Sequence, residues 1–204
     1  MLSGDQGLGL FLEGIWNSVL LVLGSILFTV LSALAFYRLS LSGWLPVRLT
    51  TRIVCLAFLN APLLLILVLT YLLVSGVFLY TGPVAVLTAI FVIGLDNGAS
   101  AGEALLQARR TLPAGTSLAD IVRVSAIQFR ASVINASKAS PVAAFIGAPE
   151  LLSVLTDITS FSGERVVTFT VLALFYLLVV QVVIVTSAAL VRRLQSSVPG
   201  ESHA

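Results

Sequence analysis

Three stretches of this chain contain no Asp, Glu, Lys, Arg or His: Gly14 to Tyr37, Ile53 to Leu95, and Val166 to Val191. An α-helix needs about 20 consecutive, mostly apolar residues to cross the hydrocarbon core of a bilayer. The first and last stretches are each long enough for one crossing and the middle one for two. Lipid offers the backbone no hydrogen-bond partners, so each crossing must satisfy its own N–H and C=O groups, which makes these segments helices. A membrane β-barrel would alternate polar and apolar residues over segments of about 10 residues, and these runs do not. The middle run divides at Tyr80-Thr81-Gly82-Pro83, a turn signature. Composition agrees with a bilayer as solvent: 58% of the 204 residues are hydrophobic and 10% charged, against about 25% charged in soluble domains.

A further span is expected between Ile121 and Ala148, although Arg130 and Lys138 fall inside it and Arg123 near its start. Ala131, Ser132, Ala136, Ser137, Ala139 and Ser140 allow close backbone approach, so neighbouring helices rather than lipid should shelter this segment. With about five spans, the connections alternate between sides. Arg38, Arg48, Arg52, Arg109, Arg110, Arg123, Arg192 and Arg193 then share one side. Asp5, Glu13, Glu150, Asp157 and Glu164 share the other, with Arg165. Basic residues concentrate on the cytoplasmic side, so the expectation is an all-α polytopic membrane helix bundle with the N-terminus outside and the C-terminus cytoplasmic. Residues 1–194 form one transmembrane domain in this reading, and 195–204 a disordered cytoplasmic tail. Leu151, Leu152, Leu155 and Ile158 recur at helical spacing, which predicts a short helix at the outer surface. Trp16 and Trp44 lie near span ends, as interfacial anchors do. No lysine or arginine precedes the first apolar run, which is longer than the core of a cleavable signal, so it is expected to be retained.

Several function classes drop out. A net charge of +2 and the lack of a basic run with interleaved aromatics argue against nucleic acid as a partner. Cys55 is the single cysteine and His203 the single histidine. One thiol forms no intrachain disulfide, and one histidine builds neither a histidine metal site nor a Ser-His-Asp triad. No Gly-rich phosphate loop is present, so ATP is not expected to bind this chain, and neither is a metal or another cofactor.

The candidate functional residues are ionisable groups in or near the bilayer: Asp96 and Glu103 around the end of the third span, and Arg130 and Lys138 in the fourth. A charge at the centre of an inserted helix costs about 2.5–3.5 kcal/mol on insertion scales, so it persists when paired or facing a watery cavity. Asp96, Arg130 and Lys138 are therefore candidates for a solute pathway; the alternatives are structural ion pairs and snorkelling side chains. Glu103, near the cytoplasmic end, suits a structural or interface role. Gly94, Gly98 and Gly102 form a small-residue packing pattern. Pro62 and Pro141 should loosen the second and fourth spans.

Several segments resemble the polar amino-acid branch of ABC-importer permeases. Lys138-Ala139-Ser140-Pro141, followed by Phe145-Ile146-Gly147-Ala148-Pro149-Glu150-Leu151, is similar to that family's Lys-Asp-Thr-Ser and Val-Ile-Gly-Val-Pro-Glu-Leu segments. Glu103, Pro113 and Gly115 match its Ala-Glu and Pro-x-Gly-Gln elements, with Thr116 in place of the glutamine. Leu59-Asn60-Ala61-Pro62-Leu63 resembles Arg-Gly-Thr-Pro-Leu; the stretch from Phe11 to Leu34 resembles the first helix, and Arg192-Arg193-Leu194 the basic C-terminal end. The resemblance covers nearly the whole chain. It implies a bacterial inner-membrane permease subunit that pairs with itself or a related permease and forms half of a path for amino acids or similar small polar solutes. It also implies an extracytoplasmic solute-binding protein and cytoplasmic ATPase subunits that use the ATP. Glu103, Arg109, Arg110, Pro113 and Gly115 are the matching coupling-loop candidates. The chain departs from the family after Gly115: Thr116-Ser117-Leu118-Ala119-Asp120 replaces the Glu-Ala-Ala-x-x-x-Gly segment and its coupling helix. Two other readings stand beside the permease: a small non-ABC transporter or channel subunit, and a structural or assembly subunit of a permease complex.

Overall fold

The computed structural model describes residues 4–162 and 165–196. It is an all-α bundle of α1 (Gly4–Ser40), α2 (Leu45–Asn60), α3 (Leu63–Val77), α4 (Gly82–Thr111), α5 (Leu118–Ala139), α6 (Leu151–Ser162) and α7 (Arg165–Ser196), with a 3-10 segment, Ser140–Ile146, after α5. Three helices, α1, α4 and α7, are long and apolar enough to cross a membrane; the total reaches 5 if α2 with α3 and α5 with α6 each count as one broken span. Gln195 and Ser196, expected in the tail, close α7, and the rest of that tail, with His203 in it, falls outside the described residues.

Local sequence explains where the helices begin and stop. Pro83 and Pro46 lie in the first turns of α4 and α2, where a missing N–H costs nothing. Ser117 caps α5 reciprocally: its Oγ accepts from the Asp120 backbone N–H at 3.2 Å and donates to the Asp120 carboxylate at 2.7 Å. The division expected at Tyr80–Pro83 is the connection between α3 and α4. Pro62 does more than loosen its span. With no N–H to donate, it ends the helical ladder, and α3 leaves at 116° to α2. Pro141 acts more mildly: the chain tightens into the 3-10 turn, and α6 continues at 47° to α5.

The α1–α4 pair is the centre of the bundle. Gly94, Gly98 and Gly102 of α4 sit against Phe28, Ser32, Ala33 and Phe36 of α1. A methyl group placed at Gly98 would lie 2.8 Å from the Ser32 Cβ and 3.2 Å from the Ala33 backbone nitrogen. The close approach lets Ser32 Oγ donate across the interface to the Gly94 carbonyl at 2.8 Å. Leu21, Leu67, Val92, Ile93 and Ile146 fill one half of the core, and Ala33, Tyr37, Leu105 and Ile121 the other. Cys55 is buried with Phe36 and Ala99. By contrast α7 is mostly exposed and apolar, with Val166, Leu174, Leu177 and Leu178 open to the surroundings, as a helix facing lipid would be. Tyr37 packs with Ile121, and Arg123 reaches the Leu194 carbonyl, so the ends of α1 and α7 and the start of α5 share one end of the bundle. Asn17 meets Pro149, and Ser18 meets Glu150 and Tyr176, at the other.

Candidate functional site

On α4, Asp96, Ser100, Glu103 and Gln107 recur in steps of three and four residues and so share one helix face. On α5, Gln128, Ala131, Ser132 and Asn135 do the same, and Lys138 follows one turn later. Where these faces meet they line a cavity of about 310 Å³, with Ser100, Glu103, Ala104 and Gln107 on one wall and Gln128, Ala131, Ser132 and Asn135 on the other. Leu59, at the end of α2, closes its edge. The lining is unusual for a membrane bundle: one carboxylate, three amides and two hydroxyls around a partly open space. Such groups can exchange hydrogen bonds with a polar solute, and in lipid they need water or a ligand as partner.

The structure separates the three pathway candidates. Asp96 is half-buried on the groove face of α4. Lys138 is exposed and continues the α5 stripe. Among the described residues neither forms a salt bridge. Arg130 leaves this group: its Nε donates to Ser187 Oγ at 3.2 Å and its Nη2 to the Ile184 carbonyl at 3.3 Å, both on α7. Arg123, two turns earlier, donates from Nε to the Leu194 carbonyl at 2.9 Å and pairs with Asp120 at 3.2 Å. The two arginines thus fasten the terminal half of α7 to α5, and Arg123 places its charge at the carbonyl end of that helix, where the dipole favours a cation.

The coupling-loop candidates are also divided. Glu103 is inside α4 and lines the groove. Arg109 and Arg110 occupy the last turn of α4. Pro113 and Gly115 lie in the connection 112–117, which has no helix of its own. Pro113 organises that turn by accepting from Arg109 at 3.0 Å and from the Thr116 hydroxyl at 2.7 Å, and Gly115 takes φ +90°, a left-handed conformation that suits glycine.

The sequence placed Glu150 on one side of the membrane and within the Pro-Glu-Leu resemblance but gave it no role, yet it is the most enclosed ionisable group described, with 0% exposure. Its Oε1 accepts from the Ser153 backbone N–H at 3.1 Å. Its Oε2 accepts from the Leu152 N–H at 3.0 Å, the Ser18 hydroxyl at 3.3 Å and the Tyr176 hydroxyl. Ser18 Oγ in turn receives the Leu151 N–H at 2.9 Å, and Asn17 donates to the Pro149 carbonyl at 2.9 Å. One carboxylate therefore caps α6 and ties it to α1 and α7. Glutamate is not among the preferred N-cap residues, and its partners Ser18 and Tyr176 lie far away in the chain. Among the described residues no cluster of His, Cys, Asp or Glu is arranged to hold a metal.

No family model matches the chain, and no curated protein matches it in sequence. Among solved structures, its fold is similar to that of a chain in the crystal structure of an amino acid ABC transporter with histidines. The TM-score is 0.72 at 17% identity, over 93% of this chain and 94% of that one. This likeness establishes that the all-helical membrane fold is the one found in a chain of that transporter.

Proposed function

We propose that this chain is a membrane permease subunit of an ATP-driven importer, forming half of a translocation path for amino acids or similar small polar solutes. The observation that carries the proposal is the likeness of fold over nearly the whole chain to a chain of an amino acid ABC transporter. The polar groove between α4 and α5 supports it, because it supplies hydrogen-bonding groups inside a bundle that is otherwise apolar. Asp96, Glu103 and Lys138 are the groups of this stripe that act on the solute, and Arg130 is a fastening of α7. The basic end of the bundle faces the cytoplasm of a bacterial cell, following the distribution of arginines. There Arg109, Arg110, Pro113 and Gly115 meet an ATPase subunit. An extracytoplasmic binding protein delivers solute at the opposite end, and a second permease, the same or related, completes the path.

The connection 112–117 favours one refinement. Without a helix of its own it offers an ATPase a small surface. The partner permease therefore carries the larger share of the coupling. The deciding experiment is co-purification of the tagged chain from its native membrane, then reconstitution of what comes with it. An ATPase and a second permease, with ATP-dependent uptake of a radiolabelled amino acid into proteoliposomes, is the expected result. Solute movement by this chain without an ATPase, or isolation with no partner, overturns the proposal.

A further inference from the structure

The 116° turn at Ala61–Pro62 gives α2 a direction of its own, and the bundle uses only one side of it. Thr51 and Cys55 are buried, while Leu45, Leu49, Ile53 and Leu56 form an apolar strip open to the surroundings. At 100° per residue, Arg48 and Arg52 fall one turn apart on the edge between that strip and the buried line. Trp44, just before the helix, is 69% exposed. An apolar strip with a basic edge and an aromatic end is the pattern of a helix lying along the boundary between headgroups and acyl chains.

Among the described residues the arginines have no acidic partner. No acidic residue occurs between Glu13 and Asp96. Among the described residues, Arg48 and Arg52 form no salt bridge, and their side chains make no hydrogen bond. Two guanidinium groups with free donors, at the level of an exposed tryptophan, match the geometry and charge of phosphate oxygens. We propose that α2 is a binding site for anionic phospholipid, with Arg48 and Arg52 on the headgroup phosphate and Leu45, Leu49 and Ile53 among the acyl chains. A zwitterionic headgroup carries its own cation, which offsets the attraction, so the site discriminates by net charge. A basic group near an anionic membrane surface contributes about a fivefold preference.

The chain contains 2 tryptophans, Trp16 and Trp44, so Trp16→Phe leaves Trp44 as a reporter of the lipid beside α2. Full-length Trp16→Phe protein is reconstituted into vesicles of phosphatidylcholine and phosphatidylglycerol in varied ratio, with one or the other lipid brominated. Quenching of Trp44 should reach its midpoint at a roughly 25-fold lower mole fraction of brominated phosphatidylglycerol than of brominated phosphatidylcholine, about fivefold for each arginine. The preference should vanish with Arg48→Gln and Arg52→Gln together, persist with Arg48→Lys and Arg52→Lys, and weaken at high salt. Equal quenching by the two lipids, or a preference that survives the double glutamine substitution, overturns the proposal. So does the lack of quenching by either lipid, since that would mean another protein surface covers α2. The measurement needs no ATPase or solute, so its failure leaves the transport reading standing, and the reverse holds too.

Discussion

Glu150→Gln is a nearly isosteric change that should nevertheless weaken the fold. Each carboxylate oxygen accepts from a backbone N–H: Oε1 from Ser153 and Oε2 from Leu152. A carboxamide has one oxygen. Whichever way it is turned, its NH2 faces one of those N–H groups, and donor meets donor. Turned to keep Leu152, it loses Ser153; turned to keep Ser153, it also loses the bonds from Ser18 and Tyr176 at the other oxygen. A buried donor left without an acceptor costs about 1–3 kcal/mol. Removing the negative charge from the start of α6 costs about 0.3–1 kcal/mol more. The sum is a destabilisation of about 1–4 kcal/mol. Purified protein in mixed micelles, titrated with SDS and followed by tryptophan fluorescence, should show the midpoint falling accordingly. Asp157→Asn, an exposed carboxylate on the same helix, is the control and should shift stability by less than about 0.5 kcal/mol. A Glu150→Gln midpoint equal to that of the unaltered protein would refute the reasoning. It would mean that the side chain already carries a proton and does not act as a four-fold acceptor.

Two further predictions test the packing. Gly98→Ala forces α1 and α4 apart, because the new methyl meets the Ser32 Cβ at 2.8 Å and backbone beyond it; overpacking of this kind costs about 1–3 kcal/mol, measured in the same SDS titration. Gly76→Ala, in α3 with nothing within 4 Å of the added carbon, should leave stability unchanged or raise it, and an equal loss at both glycines would remove the steric argument. Arg130→Gln breaks the bonds to Ser187 and Ile184 and should cost about 1–3 kcal/mol. Ser187→Ala should add little on top of it, because the shared interaction is already gone. Loss of uptake at unchanged stability would instead return Arg130 to the solute path.

The long spans were readable because their signal is local: a run without charges states its own length and solvent. The fourth span was expected only from its small residues and the distribution of arginines, and the structure gives the small residues a cause, since α5 packs Ser125, Ala126, Ser132 and Ala136 inward. The direction of a charged side chain is a different kind of fact. Arg130 and Lys138 look alike in sequence, yet one is turned toward α7 and the other is open on the groove stripe. Eight residues at 100° each put Lys138 about 80° round the helix from Arg130, enough to decide which neighbour a side chain meets, and the identity of that neighbour depends on helices far away in the chain. Glu150 was missed for the same reason. Its capping role is local, but its burial depends on Ser18 and Tyr176 arriving from α1 and α7. The sharp turn at Pro62 was underestimated because proline announces a break without announcing an angle.

The two stripes on α4 explain why a polar groove can exist beside this core. Gly94, Gly98 and Gly102 point one way, and Asp96, Ser100, Glu103 and Gln107 point about 170° away, at 100° per residue. The glycine stripe brings α4 so close to α1 that a side-chain hydroxyl bonds across the contact to a backbone carbonyl. That contact makes α1 and α4 one body, since sliding either helix would drive Phe28 or Ser32 into backbone. The polar stripe therefore has a close-packed backing in α1, and α5 forms the wall opposite it. The α5 wall presents Gln128, Ala131, Ser132 and Asn135 to the groove, Leu105 and Ile121 pack α4 and α5 in the half of the core toward the basic end, and a 3-10 turn rather than a continuous helix follows α5. Leu59, at the groove's edge, hangs from the break at Pro62. The backbone beside the groove is thus interrupted at the α2–α3 corner and at the 3-10 turn after α5, while α4, which carries Asp96 and Glu103, runs unbroken from Gly82 to Thr111.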